Sequence, residues 1–176
     1  ITCNERGKMK KLGDKNANAF CLVLDKKVND LGLAMTSSFT NMIVAGQCLA
    51  NLENLKEYEK IVESLAETAE EKIFEISESA RKFAAQDFER ICFLGSGALK
   101  NVGAESALKV MELTAGNFSV MHESFLGLRH GPLSWLNQKS LVVAFLSGAP
   151  EKSKIEIDLL DELERKNAAK SVLAIA

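Results

Sequence analysis

Residues that carry metal or nucleophile chemistry are scarce in this 176-residue chain. It has two histidines, one tryptophan, one tyrosine, two prolines and four cysteines. The cysteines stand apart from one another and form no C-x-x-C pair or other ligand spacing, so the sequence predicts reduced core thiols. No disulfide framework and no metal cofactor is expected, because a zinc site needs four clustered ligands, usually cysteine or histidine. The isolated cysteines are Cys3, Cys21, Cys48 and Cys92.

The chain also lacks a charge bias and a long apolar run. It carries 22 basic and 24 acidic residues, for a net charge of −2, and the basic residues are dispersed. This balance argues against a nucleic-acid partner. No apolar run approaches about 20 residues, and the first residues have no signal-peptide pattern, so neither a membrane span nor secretion is predicted. We expect a globular protein of the cytoplasm.

The order of predicted elements is typical of an α/β protein with a doubly wound parallel sheet flanked by helices. Strands are predicted at 90–94, 117–121, 140–146 and 171–175, separated by helices at 100–115 and 153–167 and a short helix before 136. Upstream we expect strands at 1–3 and 19–24, and helices at 8–12, 35–49 and 56–86. The last of these contains neither glycine nor proline and is amphipathic, which indicates a connector that packs against other parts of the protein.

A charged stripe lies along the helix predicted after residue 100. At about 100° per residue, Glu105, Lys109 and Glu112 fall within roughly 60° of one another, on a cylinder that is otherwise mostly apolar. We expect such a helix to be packed nearly all round. Two carboxylates around an amine can move protons. The alternative is a solvated surface stripe, in which the ion pairs contribute only about 0.2–0.5 kcal/mol each.

The strand at 90–94 ends in Gly95-Ser96-Gly97, immediately before that helix. A small-residue turn at a helix N-terminus exposes backbone N–H groups and the positive end of the helix dipole, which favours an anion. The motif is weak, because sharp strand-to-helix turns need glycine for steric reasons alone. The dinucleotide fingerprint would require a third glycine where Lys100 stands, so no nicotinamide cofactor is predicted.

An imidazole occurs in the predicted loop Leu128-Arg129-His130-Gly131-Pro132. His130 lies outside any apolar periodic segment, and the unperturbed pKa of histidine suits proton transfer near neutrality. The other histidine, His122, ends an apolar strand and is expected to be structural or surface-exposed.

Together these residues match a known family. The run GSGALKNVGAESALKVMEL followed by LRHGPLS resembles the sugar isomerase (SIS) domain, specifically the second of two such domains in the tagatose-6-phosphate ketose/aldose isomerase and galactosamine-6-phosphate deaminase/isomerase branch. The segments ITCNERGKM and NDLGLAMTSSFTNM look like the close of the first SIS domain and the entry into a helical linker. The resemblance implies the C-terminal end of a first domain at 1–34, a helical linker at 35–89 and a second SIS domain at 90–176.

The resemblance also implies an activity. It is the aldose–ketose isomerisation, with or without deamination, of a hexose or hexosamine 6-phosphate, such as tagatose 6-phosphate or galactosamine 6-phosphate, through an enediol or enolamine. Glu112 resembles the base that shuttles the proton between C1 and C2, with Glu105 and Lys109 as its partners, and His130 resembles the residue that helps to open the sugar ring. In relatives this histidine comes from a neighbouring subunit, which implies a homodimer or a higher homo-oligomer.

Substrate contacts are expected from six positions. The Ser147-Gly148-Ala149-Pro150 turn has one hydroxyl and a proline, so we expect it to bind phosphate poorly. The resemblance implies that the family's main phosphate-binding loop would lie upstream of Ile1. Because the chain starts and stops in predicted apolar strands, we expect it to be a fragment. For Thr36, capping the helix at 35–49 is an equal alternative to binding sugar. The expected substrate-binding residues are Gly95, Ser96, Gly97, Leu33, Thr36 and Arg129.

Two other functions stay open at this point. The chain could be a non-catalytic, sugar-phosphate-binding regulatory module, although a sensor has no need for a base and a ring-opening group together. It could also be an assembly module whose charged stripe is only solvated surface. Between isomerase and deaminase the sequence leaves both readings open, since the two reactions share the C1–C2 proton transfer.

Overall fold

The computed structural model describes all residues from 1 to 176. The chain forms two compact units, Ile1–Phe83 and Ala84–Ala176. No helix in it is both long enough and apolar enough to cross a membrane.

The first unit is built mainly from helices. The three predicted helices are confirmed with ends shifted by one or two residues: α1 at Lys8–Gly13, α2 at Thr36–Ala50 and α3 at Leu55–Ala84. Single 3-10 turns occupy Lys26–Val28 and Leu52–Asn54. The predicted strands at 1–3 and 19–24 are wrong, since only one isolated parallel bridge joins Thr2 to Val23. Two short segments with no further strand beside them lack the neighbours that make a sheet stable.

The connector helix α3 is 30 residues long and has no buried residue. Its uninterrupted helix-forming sequence ends with Arg81 and Lys82 in the last turn, where positive charge offsets the negative end of the helix dipole. Apolar side chains such as Ile61, Leu65 and Ile73 stay more than half exposed. Within this chain, the amphipathic face that the sequence predicts is therefore uncovered.

The second unit contains the parallel sheet. Its strands are β1 at Arg90–Gly95, β2 at Ser119–Glu123, β3 at Ser140–Phe145 and β4 at Ser171–Ile175, in the spatial order β2-β1-β3-β4. All three neighbouring pairs are parallel. Helices α4 at Ala98–Leu113, α5 at Phe125–Arg129 and α6 at Pro150–Arg165 connect them, with a 3-10 turn at Pro132–Trp135. The α/β class with a doubly wound parallel sheet is confirmed.

The core of this unit lies between the central strands and helices α5 and α6. The apolar residues in the C-terminal part of β1 and throughout β3 are buried on both faces of the sheet, as expected for inner parallel strands. Gly95 lets α4 start close to the sheet, because a β-carbon there would overlap the backbone of Leu99. The hydrophobic core residues with at most 1% exposure are Cys92, Leu94, Phe125, Leu128, Val142, Ala144, Leu159 and Leu163.

Two expectations about local environment need correction. Only Cys92 of the four cysteines is buried, and the other three are half-buried free thiols in the first unit. Helix α4 is not packed nearly all round: Gly103 and Ala107 are its only buried residues, while Leu108 and Met111 are 40% and 45% exposed. The reason is that α4 rests on one layer, the sheet, which covers a single face of the helix.

Candidate functional site

The strand order places a topological switch point between β1 and β3. From β1 the chain crosses through α4 to β2 on one side, whereas β3 lies on the other side. In open parallel sheets, ligands bind outside the carboxyl ends of the strands at such a point. The Gly95-Ser96-Gly97 turn, the Glu123-Ser124 turn and the start of the β3–α6 turn all lie at this edge.

The predicted stripe on α4 forms as one bonded group. The Lys109 ammonium donates a hydrogen bond to Glu112 Oε2 at 2.7 Å and lies 3.3 Å from Glu105 Oε1. The side chains of Lys109, Glu105 and Glu112 are only 17%, 22% and 26% exposed. A solvated surface stripe would be far more open, so these charges are less screened by water than ordinary surface pairs.

The electrostatics of this group favour the charged forms. The hydrogen bond to Glu112 raises the pKa of Lys109 above its ordinary value, with a further contribution from Glu105. The Lys109 ammonium therefore stays charged between the two carboxylates. It also places a positive charge where an oxyanion could be stabilised.

Helix geometry separates the stripe from the glycine turn. With a rise of about 1.5 Å per residue, Glu105 lies about 12 Å along the axis from Gly97, and Glu112 lies about 22 Å from it. Gly97 is the N-cap of α4 and Glu112 is its next-to-last residue, so the two features lie at opposite ends of the helix.

The His130 loop is anchored by its arginine. The sequence predicts an open loop at His130, but this residue is the C-cap of α5. At the other end of the same helix, the N-cap residue Ser124 accepts a hydrogen bond from the Gly127 N–H. The His130 side chain is exposed and has no hydrogen bond to the stripe. Arg129 is the last residue of α5, and its guanidinium bonds Glu162 at 2.8 Å and Asp158 at 2.9 Å. These carboxylates on α6 raise the pKa of Arg129 and hold its Nε and one terminal nitrogen.

The two expected contacts in the first unit lie at the start of α2. Leu33 is 82% exposed, and Thr36 is the first residue of the helix. The proposal that Thr36 caps this helix is wrong. Instead the Asp30 carboxylate accepts the backbone N–H groups of Ser37 and Ser38, at 3.2 and 2.7 Å, and these bonds lower its pKa. Sequence reasoning missed Asp30 because it acts from six residues before the helix.

Further polar residues at the carboxyl edge were also missed. Glu123, at the end of β2, pairs with Lys100 and accepts the Ser124 N–H, and both contacts lower its pKa. The fully buried Glu156 accepts the Ser147 N–H at 2.8 Å. Lys152, in the first turn of α6, extends to Gly97. The sequence feature that could have indicated Lys152 is its position in the first turn of the helix that follows β3, a strand at the switch point.

Comparison with known proteins finds relatives that are similar to this chain over its whole length. No family model matches it. A D-galactosamine-6-phosphate deaminase AgaS from Escherichia coli is 38% identical over 183 residues, covering all of this chain and 46% of that protein. The structure of tagatose-6-phosphate ketose/aldose isomerase from Escherichia coli is 36% identical, with a TM-score of 0.79 over 99% of this chain and 47% of its own. A Clostridium novyi protein assigned to the same isomerase activity is 36% identical, with a TM-score of 0.94 over 99% of this chain and 44% of its own.

The chain is similar throughout to the D-galactosamine-6-phosphate deaminases and tagatose-6-phosphate ketose/aldose isomerases. The resemblance to the sugar isomerase (SIS) domain proteins of that branch, predicted from its sequence, is thereby confirmed. The chain spans about half the length of the curated relatives it matches.

Proposed function

We propose that this chain supplies the proton-transfer part of an enzyme that isomerises a hexose or hexosamine 6-phosphate, with loss of ammonia where C2 bears nitrogen. Tagatose 6-phosphate and galactosamine 6-phosphate are the substrates favoured, because they are named for the similar proteins. The observation that carries the proposal is the half-buried Glu105–Lys109–Glu112 group on α4.

In the proposed reaction, the Glu112 carboxylate removes a proton from C2 of an open-chain aldose, or from C1 of a ketose, and returns it to the other carbon, while a second proton passes between the heteroatoms at C1 and C2. Where C2 bears nitrogen, water hydrolyses the resulting C2 imine and ammonia leaves. While Glu112 holds the proton, negative charge develops on the former carbonyl oxygen, and a fixed ammonium nearby lowers the energy of that state. Lys109 fills this role, because its ammonium lies within hydrogen-bond distance of Glu112. Glu105 fixes the second side of the ammonium, so that Lys109 keeps its position when Glu112 becomes protonated.

His130 is proposed to exchange a proton with the ring oxygen and so to open the ring. An exposed imidazole on a short, capped helix suits delivery into the site of a second copy of the chain. Helix α4 offers apolar contact area for such a copy: Val102, Leu108, Met111 and Leu113 are 38–73% exposed. We therefore propose a homodimer or higher homo-oligomer, in the cytoplasm, with residues 90–176 as the second SIS domain and 35–89 as the linker.

The deciding experiment is solvent exchange in the intact protein. It is incubated in D₂O with each of a panel of aldose, ketose and amino-sugar 6-phosphates, while deuterium at C1 and C2, ketose and ammonia are measured. We expect Glu112→Gln to abolish deuterium incorporation, because the amide cannot accept the proton. Glu164→Gln, an exposed carboxylate of α6 with no ion pair, is the matched control and should leave exchange unchanged. Exchange that survives in Glu112→Gln would contradict the assignment of the base.

The same panel tests the regulatory alternative. Binding of a 6-phosphosugar without exchange or turnover in the parent protein would favour a sensor. Ammonia release together with exchange would identify the deaminase, whereas exchange and ketose formation without ammonia would identify the isomerase.

A further inference from the structure

Helix α5 is too short to be stable on its own. It has five residues, Phe125–Arg129, with His130 as its C-cap. An isolated helix of that length does not persist in water, so other parts of the fold must set its position. The buried side chains of Phe125 and Leu128 decide which face of the helix points inward. Because apolar burial has no directional preference, polar contacts are needed to fix where the helix starts and how it is turned.

A chain of such polar contacts lies at the start of α5. The Glu123 carboxylate, at the end of β2, accepts the Ser124 N–H at 2.7 Å. The Ser124 hydroxyl also bonds Glu123, and its oxygen accepts the Gly127 N–H at 2.9 Å. The Gly127 carbonyl in turn accepts the His130 N–H at 3.2 Å. Hydrogen bonds therefore run without a break from the Glu123 carboxylate to the backbone of His130.

Lys100 connects this chain of contacts to α4. It lies in the first turn of α4, and its ammonium pairs with Glu123, whose side chain is only 26% exposed. A lysine in the first turn of a helix meets the positive end of the helix dipole, which is unfavourable. The Glu123 carboxylate offsets that positive charge. The pair of Lys100 and Glu123 thus joins the start of α4 to the start of α5.

Gly127 leaves room for the Glu123 carboxylate against α5. A β-carbon built on Gly127 would lie 2.5 Å from Glu123 Oε1 and 2.6 Å from its carboxyl carbon. The three atoms closest to that position all belong to Glu123. The φ angle of Gly127 is not in the left-handed region, so the backbone itself does not require glycine here. The contact with Glu123 explains why α5 contains glycine, a poor helix former, at this position.

We propose that Glu123 and Lys100 are positioning residues for His130, because their pair fixes α5 against α4 and so sets the place of the imidazole that opens the sugar ring. This inference rests on the ring-opening role proposed for His130. Helix α4 is also the helix proposed to contact a second copy of the chain. An imidazole held at a fixed distance from α4 therefore reaches a fixed point in the site of that copy. A displacement of about 1 Å at a reacting group can slow a reaction by about 10²-fold.

The test measures ring opening separately from proton transfer, in the intact protein with Glu112→Gln. Exchange NMR follows the interconversion of the α and β anomers of D-galactosamine 6-phosphate, which needs ring opening alone. Lys100→Met should slow it at least about tenfold, because the carboxylate loses the charge that holds it. Lys100→Arg keeps a donor for Glu123 and should restore most of the rate. Lys139→Met removes an ion pair with Glu89 at the opposite edge of the sheet and, as the matched control, should leave the rate unchanged.

Gly127→Ala separates positioning from folding. The added methyl group would displace the Glu123 carboxylate, which is the flexible end of a side chain. Alanine also favours a helix more than glycine does, and this gain offsets the lost ion pair. Unfolding of the variant in urea should therefore stay close to that of the parent, while its ring opening should be at least about tenfold slower.

The results that would overturn the proposal differ from those that concern the reaction. Ring opening within about threefold of the parent in Lys100→Met or in Gly127→Ala overturns the positioning role alone. Ring opening that survives in His130→Asn overturns it together with the role given to His130. Equal slowing in Lys139→Met and Lys100→Met would show a general loss of stability and also overturn it. The assignment of Glu112 is measured by deuterium exchange, so none of these results changes it.

Discussion

The Lys109 ammonium donates to Glu112 at 2.7 Å while it lies 3.3 Å from Glu105, one turn earlier on the same helix. Two like charges at this spacing repel each other, and a single cation offsets the repulsion. The arrangement therefore depends on Lys109 more than on either carboxylate.

Replacing Lys109 by methionine should lower kcat about 10²-fold, because the fixed charge that stabilises the developing oxyanion is lost. Steady-state kinetics with the substrate identified by the panel would measure this. Lys154→Met is the control, since Lys154 is exposed and makes no ion pair. Circular dichroism should show both variants folded. A Lys109→Met enzyme within about threefold of the parent in kcat would contradict the role given to the ammonium.

The second prediction concerns Arg129, which joins α5 to α6 through Glu162 and Asp158. Arg129→Met should destabilise the protein by about 1 kcal/mol, because Glu162, which is 16% exposed, loses one of its two cationic partners. It should also lower activity, since the anchor next to His130 is gone. Urea unfolding and kinetics measure the two effects. Arg165→Met, at the exposed end of α6, should change neither, and equal losses in both variants would rule out a specific anchor.

Much of the second unit could be predicted because its signals are local. Apolar runs at 90–94 and 140–146, each bounded by turn residues, mark inner strands whose two faces are covered. The stripe at 105, 109 and 112 follows from helical periodicity alone, and the ion pairs form as that spacing requires. The strands expected at 1–3 and 19–24 failed because a strand needs a partner, and the sequence pattern contains no information about partners.

The parts of the site that were missed depend on tertiary structure. Lys152 follows Gly97 by 55 positions, and only the strand order β2-β1-β3-β4 brings the two together. The Arg129 contacts with Glu162 and Asp158 on α6 are also long-range, so the sequence pattern does not reveal them. In both cases the residue type was visible in the sequence and its partner was not.

The third prediction is a pH dependence of stability. Lys100 and the Ser124 N–H lower the pKa of Glu123 in the folded protein below its ordinary value of 4.5. A carboxylate with a lowered folded pKa stabilises the fold above its unfolded pKa, and this contribution is lost as the pH falls through the folded pKa. Glu123→Gln should thus be less stable than the parent by about 1 kcal/mol at pH 7. The gap should narrow as the pH falls below 4.5 and close once the pH has passed the lowered pKa of Glu123, where the parent's carboxyl becomes protonated.

Chemical denaturation of both proteins from pH 3 to pH 8 would measure that gap. Glu164→Gln serves as the control, because its carboxylate has no ion pair and should give a curve parallel to that of the parent. A gap between Glu123→Gln and the parent that stays constant across this range would show that the loss is due to packing on Gly127 rather than to ionisation.

The last prediction tests whether His130 acts across a subunit boundary. Glu112→Gln and His130→Asn should each be inactive alone, since one lacks the base and the other the ring-opening group. If each site combines Glu112 of one copy with His130 of another, a mixed dimer contains one site with both residues intact. Random mixing gives about half mixed dimers, so coexpression of the two variants should restore about a quarter of the parent activity. If both residues act within one copy, every site in the mixture lacks one of them and no activity returns. A coexpression control with Glu112→Gln and Glu112→Gln/His130→Asn should stay inactive in either case, because neither copy supplies Glu112.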